Sequence, residues 1–419
     1  MSNPEGGEKP KVVPRRSYGL LIDDKESRLP TSLPIVGLGC SSFSTTMTTF
    51  WSDEEVQENN AANWRCENID KHHPRVQEWI QVMHHAVECG INLFDTAPWY
   101  NTSEAVVGFF IEDTKVEREK LIINTKVGRF YEPPEKQFDF SYDSIISSVQ
   151  RSLARLKCNY IDVLQLHDPE FSPSFDIILK ETIPALLECR KRGYCKALGL
   201  TGYPLKTQHL ILQKSLELAA ESGKIWDQSL TYCHFNLADR SLFNQTITGT
   251  IAVSFADFCK HNKIGLMAAA PLAMGLLTKN TLPEWHAAQP ALREACSRAA
   301  SICESQDVDI VKQAILFALS NPNIPCTILG MKNVSEVKLS HSLALRFSGL
   351  KEEGMTQEDI LKAILTDNEH KVWLQLNDPK DGPFASIWSE GTFSWDGVAE
   401  AKKFWKQVDG VEQTNWQEA

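Results

Sequence analysis

From Ile35 to Phe347 the chain alternates two textures. Short, dense apolar runs are followed by longer stretches in which apolar residues return every three or four positions. The short runs are Ile35–Ser41, Ile91–Ala97, Lys120–Gly128, Tyr160–Asp168, Cys195–Gly202, Ile225–Asn236, Ile264–Gly275 and Cys326–Asn333. Runs of that length and density predict strands buried on both faces. The stretches between them predict helices over 74–90, 103–112, 141–158, 176–193, 207–223, 246–263, 293–306, 309–321 and 334–347. The helix from Pro74 stops at Gly90, and the one over 141–158 opens at Ser141, a residue type that caps helix N-termini.

Eight strand-then-helix units imply parallel pairing, because each return to the same edge needs a crossover that a helix supplies. Eight such units predict an α/β fold, a closed (β/α)8 TIM barrel. An open, doubly wound sheet is the competing architecture. It calls for a glycine-rich phosphate turn after the first strand, and VGLGCSSFS is a poor match to GxGxxG.

Two segments fall outside the repeat. Ser42–His73 is long for a connection between a strand and its helix, and it carries Phe50, Trp51 and Trp64. Residues 348–419 hold Trp373, Trp388, Trp395, Trp405 and Trp416, too many aromatics for a solvated tail. The expected organisation is a flexible leader over 1–30, a barrel over 31–347 and a C-terminal extension over 348–419 that packs on the barrel.

Charge and cysteine usage narrow the function classes. The net charge of −11 argues against binding nucleic acid or anionic membrane, which needs basic patches. No apolar run is long enough to cross a bilayer, and the polar start of the chain lacks the apolar core of a signal peptide. The eleven cysteines are scattered, with no CxxC pair, so no metal site is expected. Reduced thiols in a cytoplasmic protein are the expectation. The oligomeric state has no signal.

In a (β/α)8 barrel the chemistry sits at the C-terminal ends of the strands. The polar residues there are Asp95 on the second strand with Tyr100 in the loop beyond it, Lys126 on the third and His167 on the fourth. Three consecutive strands bring these four to one rim. A phenol titrates near ~10 in water, and a nearby ammonium favours its ionised form. A buried lysine needs a counterion, which Asp95 supplies. A histidine can hold a substrate oxygen. The set suits proton transfer at an oxygen whose carbon gains or loses hydride. Each residue alone has a plainer reading: Asp95 as a turn former, Lys126 reaching solvent, Tyr100 as a packed ring, His167 as part of a loop.

GINLFDTAPWY, NTKVG and IDVLQLHD resemble the motifs of the aldo-keto reductases, over about Pro34 to Phe347. FDFSYDSIISSVQRSLARL, ETIPALL, LGLTGYPL, TYCHFNLAD and APLAMGLLTKNTLPEWH are similar to the branch containing L-galactose and D-arabinose dehydrogenases. The resemblance implies a (β/α)8 oxidoreductase that moves hydride between a nicotinamide and a sugar or other carbonyl compound. It implies a catalytic set of Asp95, Tyr100, Lys126 and His167, with tyrosine as the general acid or base. It places Thr201, Gly202 and Tyr232 at the nicotinamide, Leu272, Ala273, Met274 and Gly275 at the pyrophosphate, and Gly330, Met331, Lys332, Asn333 and Glu336 near the adenosine ribose. The family's stacking tyrosine is absent, its place reading Ala269-Ala270-Pro271. Glu336 stands near the place where NADP users carry an arginine, which favours NAD, with Lys332 opposing and NADP as the alternative. Trp51 and Trp99, with His167, are the expected substrate contacts, and Trp64 is a second candidate for the pocket wall. The rival to an enzyme is a cofactor-sensing regulatory subunit on the same barrel.

Overall fold

The structure is a computed structural model, and it describes residues 11–17, 29–44, 63–133, 136–222, 224–244, 246–247, 253–280, 282, 286 and 288–385. Eight parallel strands close into a barrel. They are β1 (Val36–Gly39), β2 (Leu93–Asp95), β3 (Ile122–Val127), β4 (Ile161–His167), β5 (Cys195–Gly202), β6 (Gln228–Tyr232), β7 (Gly265–Ala269) and β8 (Cys326–Gly330). Neighbours in sequence are neighbours in space, and β8 returns to β1. The chain is thus the predicted TIM barrel, and the open sheet is excluded.

Around the strands stand α1 (Pro74–Glu88), α2 (Ser103–Asp113), α3 (Tyr142–Arg155), α4 (Ile183–Lys191), α5 (Leu205–Ser222), α6 (Phe255–His261), α7 (Pro290–Ser305), α8 (Ile310–Leu319) and α9 (Val334–Ala344). Their inward faces and the outward faces of the strands share one large core, which includes Ile80, Val106, Val149, Leu186, Phe317 and Val337. The barrel interior is a second, smaller cluster of Leu93, Ile122, Val163, Ala197, Leu230, Met267 and Ile328. Leu29 and Leu33 join it. These two belong to the chain entering the barrel, so its interior is plugged with apolar side chains at the end opposite the strand C-termini.

Two sequence expectations change here. A helix over 246–263 is replaced by two short antiparallel strands, Thr246–Ile247 and Val253–Ser254, and helix begins only at Phe255. Ser254 is the reason for that start: its hydroxyl accepts from the Asp257 N–H, a helix cap. Ser141 precedes α3 as expected, but its side chain makes no cap; it donates instead to Asp139 Oδ1 at 2.7 Å.

The expected leader is in part built into the fold. Arg15–Ser17 pairs antiparallel with Ser32–Pro34. Arg16 is buried, forms a fork with Glu352 at 2.5 and 2.7 Å, and donates to the carbonyls of Leu319, Asn321 and Ile324. A guanidinium satisfies several chain-end carbonyls at once because its five donors are fixed in one plane. After α9, two further helices, α10 (Gln357–Ile364) and α11 (Asp367–Leu376), bury Ile360, Leu361, Val372 and Leu376 in the outer core. Each opens with a reciprocal capping box, Thr356 with Asp359 and Thr366 with Glu369. No described helix is long and apolar enough to cross a membrane.

Candidate active site

The four expected residues meet at the C-terminal rim of β2, β3 and β4. Asp95 ends β2, and a tight turn, Pro98–Tyr100, folds the phenol back over the strand ends. Lys126 is almost fully buried and points along the barrel interior from β3. Its Nζ donates to Asp95 Oδ2 at 2.6 Å and to the Thr96 carbonyl at 2.8 Å. It also lies 4.7 Å from the centre of the Tyr100 ring. His167 ends β4 and presents its ring edge-on to Tyr100, centroids 6.1 Å apart.

The electrostatics follow from burial and neighbours. Burial opposes the Lys126 charge, but Asp95 and Tyr100 outweigh it, so its pKa is raised and the ammonium persists. For Tyr100, burial is the largest influence and raises the phenol pKa; Lys126 pulls it down and Asp95 pushes it up again. The lysine therefore acts as expected, yet burial carries the balance. Burial also brings His167 down to about 3, so its imidazole is neutral at physiological pH. A neutral imidazole donates through one nitrogen and accepts through the other. His167 Nδ1 has no hydrogen-bond partner among the described residues, while Nε2 is 3.5 Å from Asp168 Oδ2.

The loop holding Tyr100 is braced from the long first connection. Asn101 takes φ 43° and ψ −103°, in the half of backbone space that side chains disfavour. Its Nδ2 donates to the Trp64 carbonyl at 2.8 Å, and its own carbonyl accepts from Cys66 Sγ at 2.7 Å. Trp64 is not a pocket wall. Its ring packs edge-on against His73 and Trp79 in the outer core, which is the use a large apolar ring finds when a helix face is near. Trp51 lies outside the described residues.

Beside the phenol is a cluster that the sequence reading did not single out. Arg129 pairs with Asp168 at 2.5 Å and donates to Gln137 Oε1. Its guanidinium lies 4.2 Å over the Trp99 ring, with Phe138 and Phe171 at 5.2 and 5.7 Å. Trp99 is half-buried, so part of its surface stays open to the rim. Asp168, the last residue of the fourth apolar run, takes φ 50° and turns its carboxylate back toward both His167 and Arg129. Nothing local in RF or HDPE signals this meeting, which joins loops after two different strands.

The residues expected to hold a dinucleotide continue around the same face. Thr201 and Gly202 end β5 and are buried. A Cβ at Gly202 would stand 2.6 Å from Glu170 Oε2, so any larger residue there would have to displace that carboxyl. Glu170 accepts from the Tyr203 N–H at 2.9 Å, its other oxygen has no hydrogen-bond partner among the described residues, and burial pushes its pKa up to about 8. Tyr232 ends β6 and pairs in register with Ala269, where the family's stacking ring is missing. Its phenol is pushed well up by burial, and its ring packs against the interior cluster of the barrel. After β7, Ala273, Met274 and Gly275 take three successive positive φ values, 50°, 58° and 91°. The turn closes on itself, with the N–H groups of Ala273, Gly275, Leu276 and Leu277 donating to the carbonyls of Ala270, Leu272, Ala273 and Leu272. The space beside Gly330 is open, with no atom within 4 Å of a Cβ built there. Lys332 is exposed, and Glu336 accepts from the Lys332 N–H at 2.8 Å and from Asn333 Nδ2 at 3.2 Å at the start of α9. Two of these features fit a dinucleotide: a polar rim at β5 and room after β8.

The sequence profile of the aldo/keto reductase family matches residues 68–361. The chain belongs to that family. It is an oxidoreductase, and the family works with nicotinamide cofactors. Among curated relatives, the L-galactose dehydrogenase of Arabidopsis thaliana is 34% identical over 298 residues, 70% of this chain and 86% of the relative. The D-arabinose 1-dehydrogenase of Saccharomyces cerevisiae is 30% identical over 304 residues, 70% of this chain and 85% of the relative. The holo form of an aldo-keto reductase from Bacillus halodurans superposes with a TM-score of 0.59 at 20% identity, over 91% of this chain and 99% of that one, and shares the fold.

Proposed function

We propose that this oxidoreductase is an NAD-dependent aldose 1-dehydrogenase that oxidises the anomeric hydroxyl of an L-galactose-like sugar to the lactone. The observation that carries the reading is the buried Lys126, clamped by Asp95 and Thr96 with its ammonium over the ring of Tyr100. That arrangement gives a phenolate that can take a proton from a substrate oxygen and a phenol that can return it, with an ammonium that stabilises the ionised form. A bound nicotinamide supplies the hydride acceptor. Tyr100 takes the proton of the C1 hydroxyl as the C1–H bond gives up its hydride, and C1 becomes the lactone carbonyl. His167, neutral, orients the same oxygen. Asp95 holds Lys126 in place.

The sugar preference is supported by Trp99, Arg129 and Asp168. A half-buried aromatic ring together with a guanidinium and a carboxylate offers apolar contact for C–H bonds and paired donors and acceptors for hydroxyls. The names of the two curated relatives point the same way. For the cofactor, the Glu336 carboxylate is fixed at the start of α9, where it would oppose a 2′-phosphate and so favours NAD.

The test is a panel of aldoses and simple aldehydes with NAD and with NADP, followed at the nicotinamide absorbance. Steady turnover of an aldose with NAD is the expected result. Turnover confined to short aldehydes, or a cofactor that reacts only once, overturns the sugar reading. Tyr100→Phe is expected to lower turnover by about 10² or more while cofactor binding persists.

A further inference from the structure

The Asp95 carboxylate uses its two oxygens differently. Oδ2 accepts from Lys126; Oδ1 accepts from Gln165 Nε2 at 2.9 Å. Gln165 Oε1 in turn accepts from Gln228 Nε2 at 3.2 Å. All of these side chains are buried in the barrel interior. We propose that Gln165, held by Gln228, is a positioning residue for the reaction, fixing the Asp95 carboxylate so that the Lys126 charge stays directed at Tyr100.

The register of the barrel builds this chain. Lys126, Gln165, Gly199, Gln228 and Gly265 are successive register partners on β3, β4, β5, β6 and β7, so these positions share one face of the sheet along a single row. A glutamine side chain from β4 can cross to meet one from β6 only if β5 presents nothing between them. Gly199 is that gap: a Cβ there would lie 2.8 Å from Gln165 Cγ. Chemistry then fixes each amide's orientation. An ionised carboxylate only accepts, so Gln165 must turn its NH₂ to Asp95 and its oxygen to β6. Gln228 must therefore offer its NH₂. The charge at Asp95 orders the whole row outward.

The consequence for Tyr100 has a sign. Asp95 and Lys126 act on the phenol in opposite directions. A donor on Oδ1 draws carboxylate charge away from Lys126 and leaves more of the ammonium's field for the phenol. Losing that donor strengthens the Asp95–Lys126 pairing at the phenol's expense. The other groups facing this centre are Cys40 beyond β1, His167 at the end of β4 with Asp168 after it, and Tyr232 on β6, and none of them donates to Asp95 Oδ1.

The experiment follows sugar oxidation against pH with the full chain, together with cofactor dissociation from quenching of protein fluorescence. Gln165→Met keeps the volume and removes the donor. Its rate at neutral pH should fall about tenfold, and the limb on which rate rises with pH should move up by about one unit, the scale of one hydrogen bond to a charge. Cofactor dissociation should stay as in the wild type. Gln228→Leu should move the limb the same way by less, and should add nothing to Gln165→Met. A Gln165→Met enzyme that loses stability or cofactor affinity but keeps the wild-type limb overturns the inference. If Gln165→Met does not fold, Gln228→Leu decides: a raised limb supports the relay and an unmoved one overturns it. The inference rests on Tyr100 as the proton-transfer group, and the two fail separately. Tyr100→Phe with undiminished turnover removes that reading, whereas an unmoved limb in the glutamine variants removes only this one.

Discussion

Lys126 Nζ sits 2.6 Å from Asp95 Oδ2, and both side chains are shut off from water, at 2% and 5% exposure. A pair this buried gives little net stability by itself, but breaking it leaves one charge stranded. Lys126→Met should therefore do two things at once. It should cost about 3–5 kcal/mol in denaturant unfolding, from the uncompensated carboxylate. It should also raise the pH at which oxidation becomes efficient, since the phenol loses the one neighbour that favours its ionised form most. Asp95→Asn should move the pH profile less, because it acts through the lysine. An unchanged profile in Lys126→Met would show that another group tunes Tyr100.

His167 is held neutral by burial, down to about 3. The folded state thus binds fewer protons than the unfolded one between about 3 and the ordinary imidazole value of about 6.5. Its contribution to stability is complete above that window and is lost as pH falls through it. His167→Gln should flatten the dependence of Tm on pH over the window. The wild-type turnover profile should also show no inflection near 6.5 that disappears in this variant; one that does would mean the imidazole titrates in the working enzyme.

Much of this was legible in the sequence because barrels are periodic. A strand buried on both faces leaves a dense apolar run, and a polar residue at its end stands out, so Asp95, Lys126 and His167 could be placed before any coordinates. The relay beneath them could not. Gln165 and Gln228 lie in strands that carry other polar residues, Asp162 in β4 and Ser229 and Thr231 in β6, and only the register across β4, β5 and β6 shows that they meet over Gly199. Arg129 and Asp168 lie in loops after different strands, where sequence distance says nothing of contact. The 246–263 stretch misled for a local reason: its apolar residues suit a helix, but the chain there forms two short strands before Ser254 caps the helix proper. Trp64 misled because a tryptophan on the catalytic side of a barrel need not face the mouth.

Glu170 carries the opposite linkage to His167. Burial keeps its carboxyl protonated up to about 8, against an ordinary value of 4.5, with Asp168 adding to the effect. Across that window the folded state holds more protons than the unfolded state. Stability is therefore full below about 4.5 and declines as pH rises toward about 8. Glu170→Gln keeps the shape and removes the ionisation. Its Tm should fall less than the wild type's between mildly acidic and mildly alkaline pH. An identical decline in both proteins would mean that Glu170 is already ionised in the folded state.

Asn101 follows Tyr100 directly, and its backbone sits at φ 43°. Holding a side-chain-bearing residue there costs about 1–3 kcal/mol, and it persists only where surrounding contacts over-determine it. The contacts are the Trp64 carbonyl on its Nδ2 and Cys66 Sγ on its own carbonyl, both from the first connection. Two substitutions separate backbone from side chain. Asn101→Gly accepts the conformation freely and loses the side-chain bond; Asn101→Ala loses the bond and keeps the strain. If the bond is what aims Tyr100, both variants should show a lowered kcat, with Asn101→Ala also the less stable of the two. If the backbone shape is what matters, Asn101→Gly should keep wild-type kcat while Asn101→Ala loses it. Equal, wild-type kcat in both variants would mean that the brace from the first connection does not govern the placement of the phenol.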